Sequence, residues 1–153
     1  MSYEDKIKEQ ARPYLQPGER VLGAFRARPR GATQASMGGL AGNVIGGRKA
    51  SQQRRTAQDA GLQLASPMAL TLTDKRLLVL RVSRPTVTGK GGDVKDLVSE
   101  VPLTDVDSID VKRLLGGKVV TVTVRGSAFK LEAGVGENAK SVADGFAVAK
   151  TAV

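Results

Sequence analysis

Beyond Pro67, apolar and polar positions alternate with a period of two, the spacing of strands with one face on a core. Met68, Leu70 and Leu72 face one way, and Ala69, Thr71 and Thr73 the other. Thr73-Asp74-Lys75-Arg76 then turns the chain into the apolar run Leu77 to Val82. After a loop at Gly89-Lys90-Gly91-Gly92, Leu97, Ser99, Val101 and Leu103 share a face, which Val106, Ile109 and Val111 continue past a break at Thr104-Asp105. Leu114-Leu115-Gly116-Gly117 marks a turn into a strand at Val119–Val124, and Arg125-Gly126-Ser127 a hairpin onto Phe129-Lys130-Leu131. At the end, Ala139, Val142, Ala143, Phe146, Ala149 and Val153 recur at three- and four-residue steps, which predicts an amphipathic helix with Lys140, Asp144 and Lys150 on its wet side. Gly145 inside it costs about 1 kcal/mol relative to Ala, less than the roughly 1.5–3 kcal/mol returned by burying each of Val142 and Phe146.

The first part reads differently. Tyr3, Ile7, Ala11 and Tyr14 lie at near-helical spacing, Ser2 and Asp5 are placed as a capping pair, Pro13 ends the helix and Pro17-Gly18 turns the chain. Val21 to Arg28 is expected as a strand, with Val21, Gly23, Phe25 and Ala27 on one face and Arg20, Leu22, Ala24, Arg26 and Arg28 on the wetter one. The predicted organisation is a single domain over 1–153. It has an N-terminal helix (1–16), an insertion after the first strand (31–65), the main strands (68–132) and a closing helix (137–152). Short, closely spaced strands with one closing helix predict a compact, mostly β barrel or sandwich plugged by that helix.

Three stretches resemble a known family. Leu70-Thr71-Leu72-Thr73-Asp74-Lys75-Arg76-Leu77-Leu78-Val79-Leu80 is similar to the strand–turn–strand signature of bacterial pleckstrin-homology-like and GRAM-like domains. Val101-Pro102-Leu103-Thr104-Asp105-Val106-Asp107-Ser108-Ile109 resembles the strand and corner that follow in the same family, and Pro17-Gly18-Glu19-Arg20-Val21-Leu22 its opening. The resemblance implies a seven-stranded bent antiparallel barrel closed at one end by the C-terminal helix, with residues 31–65 as a departure. It also implies a binding role rather than a particular ligand, because one fold hosts many functions. Many eukaryotic relatives hold phosphoinositides with basic residues after their first strand, and Arg26, Arg28 and Arg30 stand at that place here.

Within the insertion, Gly38, Gly42 and Gly46 lie four apart, with Met37, Leu40, Val44 and Ile45 at helical steps between them. As a helix the segment carries a smooth glycine ridge that another backbone can approach closely. Glycines at 38, 39, 42, 46 and 47 cost about 5 kcal/mol against such a helix at roughly 1 kcal/mol each. The segment is therefore expected to be a loop unless the barrel, a second copy or a membrane packs on it. It is too short to span a bilayer: Ala35 to Gly47 covers about 20 Å of a roughly 30 Å hydrocarbon layer. Arg48 to Ala60 is polar and helix-competent, with Arg48, Lys49, Arg54 and Arg55 as its cations and Gly61 placed to cap its end.

Composition narrows the chemistry. With no Cys and no His in 153 residues, disulfides, thiolate metal sites and Cys or His catalysis are excluded. Asp105, Asp107 and Asp110 are close in sequence but lack the spacing of a calcium loop, and no glycine-rich stretch ends as a P-loop does. The weak anion site conceivable at Gly134-Val135-Gly136 reads instead as the cap of the closing helix. No cofactor, metal, small-molecule substrate or turnover is expected. The net charge of +9 favours acidic partners, and most of the excess lies early, where residues 1–65 hold 11 Lys and Arg against 5 Asp and Glu. Three Phe, two Tyr and no Trp leave few rings for stacking nucleic-acid bases, and Phe25, Phe129 and Phe146 read as core.

The expectation is a non-catalytic binding or adaptor module, cytoplasmic, whose first partner class is another protein or a second copy. The alternative is a peripheral module on an anionic membrane, and the third is weak, nonspecific nucleic-acid binding. The candidate contact residues are Arg26, Arg28, Arg30, Met37, Leu40, Val44, Ile45, Arg48, Lys49, Arg54 and Arg55, with the ridge Gly38, Gly42 and Gly46.

Overall fold

The computed structural model describes residues 3–31, 39–84, 91–134 and 136–151. A helix α1 (Tyr3–Gln10) and a short 3-10 turn (Arg12–Tyr14) lead into strand β1 (Val21–Pro29), and helix α2 spans Gly39–Asp59. Six strands follow, β2 (Met68–Thr73), β3 (Arg76–Val82), β4 (Val94–Pro102), β5 (Val106–Leu114), β6 (Gly117–Val124) and β7 (Ser127–Ala133), before helix α3 (Ala139–Thr151). The strands form one antiparallel seven-stranded sheet in the order β4-β3-β2-β1-β7-β6-β5. β1 is its hinge, pairing with β2 from Val21 to Ala27 and with β7 at Arg28 and Pro29. The expected seven antiparallel strands and C-terminal helix are present, with one correction. The sheet is not closed, because β4 and β5 are its two edges.

The main core joins Phe25, Leu70, Leu72, Val120, Val122, Phe129 and Leu131 of the sheet to Ala139, Val142 and Phe146 of α3. Two glycines allow α3 to lie this close. A Cβ on Gly23 would stand 3.0 Å from Ser141 Oγ and 3.1 Å from the Val142 backbone nitrogen, and one on Gly145 3.3 Å from Leu22 Cβ. Gly145 thus marks a close crossing rather than only a cost in helix propensity. Ala57, Ala60, Leu62 and Leu64, from the end of α2 and the segment after it, are buried in the same core. Gln63 N donates to Ser99 Oγ of β4 at 3.0 Å, so this segment is a second stopper beside α3.

A smaller core lies on the opposite face, where α1 covers the sheet with Ile7 and Ala11 against Ala24, Ala69, Leu78, Leu80 and Val82. β2 and β3 are consequently buried on both faces for most of their length. The face of β1 expected to be wet is partly dry, and Ala24 is buried. Two irregularities also change the expected facing. The register shifts between Val21 and Gly23, so Leu22 packs on the main core and Val21 on the smaller one. A shift between Val79 and Leu80 likewise separates Leu97, which packs under α1, from Val101 and Leu103 in the main core.

Gly39–Gly47 is helical, the outcome expected only where something packs on it: it is the first part of α2. A Cβ on Gly31 would stand 2.6 Å from the Gly46 carbonyl oxygen and 2.6 Å from Lys49 Cβ, so the helix lies directly on the end of β1. Buried Ala50 and Ala57 continue the contact, and Gln53 Oε1 accepts the Lys130 N–H of β7 at 2.6 Å. This packing supplies what the glycine-rich sequence cannot. At the far end Leu62 N donates to Ala57 O and Gly61 N to Gln58 O, both at 2.9 Å, a Schellman cap with Gly61 at φ +93°. No helix among the described residues is long and apolar enough to cross a membrane.

Candidate functional site

β1 runs out of the sheet between β7 and α2, and its alternation places Arg26, Arg28 and Arg30 along one side of an open cleft of about 660 Å³. The rest of its lining is the β5–β6 hairpin (Leu114, Leu115, Gly116, Gly117, Lys118) and the chain leaving β7, with Glu137 and with Glu132, the cross-strand partner of Arg28. The three arginines differ in what holds them. Glu137 is buried, takes the Arg26 backbone N–H at 2.6 Å and pairs with Arg26 Nη2 at 3.0 Å. The Arg26 guanidinium also stacks 4.4 Å from the Tyr3 ring centre, and Tyr3 Oη donates to Gly92 O at 2.9 Å. The hydrogen bonds that Arg26 donates to Glu137 raise the Arg26 pKa further, and burial raises that of Tyr3 against the opposing pull of Arg26. Arg26 is thus a fastener between α1, β1 and the start of α3 rather than a free cation.

Arg28 and Arg30 are half-buried, and among the described residues neither has a carboxylate within ion-pair distance. Lys49 is brought to the same place by the contact of α2 with Gly31. Lys118 donates from Nζ to the Glu137 carbonyl oxygen at the cleft wall. Arg48, Arg54 and Arg55 are exposed on α2. Met37 and Gly38 lie outside the described residues. Leu40, Gly42, Val44 and Ile45 belong to α2 by their backbone, and their side chains are outside the described set. Of the glycine ridge, Gly46 meets the end of β1 within this chain.

The hairpin carries a feature that the sequence analysis treated only as a turn. Leu115 is fully exposed at 108% and Leu114 at 39%, with exposed Lys112 and Arg113 just before them. The available signal was two apolar residues at a tight turn, a place that favours Asn, Asp and Gly, inside the basic stretch Lys112-Arg113-Leu114-Leu115-Gly116-Gly117-Lys118.

Other candidate chemistry resolves into structure. Asp105 Oδ2 accepts from Arg125 Nη2 at 2.6 Å and Asp107 Oδ2 from Gly126 N at 2.8 Å, so both carboxylates hold the β6–β7 turn. Asn138 caps α3 through Oδ1, accepting from Ser141 N at 3.3 Å. Phe25, Phe129 and Phe146 are all buried, which leaves none of them to stack on a base.

Two of the three stretches that carried the family resemblance, the opening and the strand–turn–strand, meet at one buried network. Glu19 accepts from Arg76 Nη2 at 2.6 Å, from Thr73 Oγ1 at 2.6 Å and from Gln16 N at 2.9 Å. Arg76 also reaches Glu100 and the Tyr14 carbonyl, while Leu103 N donates to Lys75 O at 3.0 Å.

No family model matches the chain, and no curated protein matches it in sequence. Among solved structures it is similar to a DUF1696 family protein with a pleckstrin-homology domain from Shewanella loihica PV-4. The two are 15% identical over 94% of this chain and 90% of that one, with a TM-score of 0.48. It is also similar to a pleckstrin homology domain from Shewanella amazonensis SB2B, 13% identical over 93% of this chain and 83% of that one, with a TM-score of 0.45.

Proposed function

We propose that the chain is a non-catalytic binding module that docks on an acidic partner through the cleft at the end of β1. The observation that supports this most directly is Arg28 and Arg30, two residues apart at the end of β1 and without an ion-pair partner among the described residues. Placing like charges together beside a cleft is unfavourable in the free protein, and an anion relieves it. Lys118 lines the same cleft. Self-association through the glycine ridge draws less support, since Gly46 is already used against Gly31.

Retention on a column of heparin, a soluble polyanion, tests the proposal. The double variant R28E/R30E is expected to elute at much lower salt, with an unchanged melting temperature because both side chains are partly exposed and unpaired. A matched variant R54E/R55E on the exposed face of α2 is expected to move less. Equal retention of R28E/R30E and the unaltered protein overturns the proposal. Binding of this kind must also weaken as salt rises.

A further inference from the structure

We propose that α1 is a self-restraining strap on the cleft: seated, it keeps Arg26 fastened, and an anion that recruits Arg26 into the cleft loosens it. The inference rests on the basic cleft proposed above and adds its regulation. Arg26 belongs to both places. It lines the cleft with Arg28 and Arg30, and its guanidinium lies 4.4 Å from the centre of the Tyr3 ring of α1. The Glu137 side chain is 10% exposed and that of Arg26 38%, so the guanidinium is open to an incoming anion although its carboxylate partner is not. An anion in the cleft therefore competes with the ring face and with Glu137 for the same positive charge.

The seat of α1 is shallow. Of its eight residues Ile7 is buried, and side-chain bonds fasten the rest. Tyr3 Oη donates to Gly92 O at 2.9 Å, Lys6 Nζ to Gly91 O at 3.0 Å, Gln10 Nε2 to Asp93 Oδ1 at 3.0 Å, and Ser141 Oγ to Glu4 Oε2 at 2.8 Å. A Cβ on Gly92 would stand 2.7 Å from Tyr3 Cε1 and 3.4 Å from Arg26 Cδ, so ring, guanidinium side chain and the segment before β4 pack as one stack. Drawing Arg26 out of that stack frees the first turn of α1. A helix this short does not persist alone in water, so a lifted α1 also unwinds. Exposure of Ala24, Ala69, Leu78 and Leu80 beneath it opposes release and keeps the seated state dominant when the cleft is empty. The coupling is reciprocal: the factor by which an anion favours release is the factor by which release favours the anion.

Amide hydrogen exchange of the whole protein, with and without a short heparin oligosaccharide, tests this. At saturation the amides of Ile7 to Ala11 are expected to exchange about fivefold faster, while those of Val120 to Val124 in β6 stay unchanged. The chain has no Trp, and its two tyrosines are Tyr3 and Tyr14, so in Y14F tyrosine fluorescence comes from Tyr3 alone. Its quenching by acrylamide should rise as the oligosaccharide saturates. Y3A, altered outside the cleft lining, is expected to bind the oligosaccharide about fivefold more tightly. Unchanged or slower exchange of α1 at saturation overturns the strap and leaves the cleft standing. Equal acceleration in β6 overturns it too, because the anion then lowers global stability. A folded Y3A that binds no more tightly does the same. If the oligosaccharide binds R28E/R30E as well as the unaltered protein, the cleft reading itself fails, and the strap with it.

Discussion

Glu19 and Arg76, 57 residues apart in sequence, meet with Nη2 2.6 Å from Oε1 beneath the start of β1, and each side chain is almost wholly buried. Burial pushes the Glu19 carboxyl up, but the hydrogen bonds from Arg76, Thr73 and Gln16 outweigh it and hold the group at about 2, below its ordinary 4.5. A carboxylate whose pKa is depressed by folding contributes stability that is complete above its unfolded value and lost as pH falls toward the folded one. Acid should therefore erode this contribution between pH 4.5 and 2. Urea unfolding across that range is expected to show a shallower pH dependence for E19Q, together with a lower stability at neutral pH, because Arg76 keeps only the more exposed Glu100 as its ion-pair partner.

The crossing of β1 and α3 leaves no room for a methyl group at Gly23, where the nearest neighbours include the Val142 backbone nitrogen at 3.1 Å. Backbone cannot swing aside as a side chain can. G23A is expected to push α3 outward and to lower stability by about 1–3 kcal/mol, measured by denaturant midpoint.

Arg125 ties the end of α2 to the far turn of the sheet: Nη1 donates to Ala60 O at 2.6 Å and Nη2 to Asp105 Oδ2 at 2.6 Å. In R125A the last turn of α2 and the segment through Leu64 should exchange amide hydrogens faster, with little change in β2 and β3. Uniform acceleration across the chain would instead mean that the bond serves global stability.

Glu137 offers a case in which stability and binding are expected to move in opposite directions. E137Q removes the buried partner of Arg26 and one negative charge from the cleft. The melting temperature should fall, by less than the loss of a fully buried ion pair would cost, because the Arg26 side chain is partly exposed. Heparin retention of the folded protein should rise, because Arg26 is released and the cleft becomes more positive. A fall in both would place Glu137 in the docking surface itself.

Much of the sheet was legible because a strand with one face on a core writes its period into the sequence, and Val120, Val122 and Val124 do so plainly. The outer face of β2 and β3 was harder to read, since Ala69, Thr71, Leu78 and Leu80 are buried by α1 and no local period announces a second cover. The irregularities at Leu22 and near Leu97 were invisible for a related reason: register belongs to a pair of strands, not to either sequence alone. The helix over Gly39–Gly47 ran against propensity and follows from its contact with Gly31, a long-range fact. Arg28 and Arg30 were expected at the end of the first strand, and the structure places them there, in the lining of the cleft. The role of Arg26 was missed because Glu137 and Tyr3 reach it from opposite ends of the chain.

Leu62 and Leu64 share one interior with Phe25 and Phe129. The excursion between the first two strands is therefore not a detachable cassette. Cutting it back to a short connection would leave a wet hole where those leucines sit, and transplanting it into another scaffold would leave its greasy end without a home. Any force that lifts the helix from the sheet also uncorks the protein.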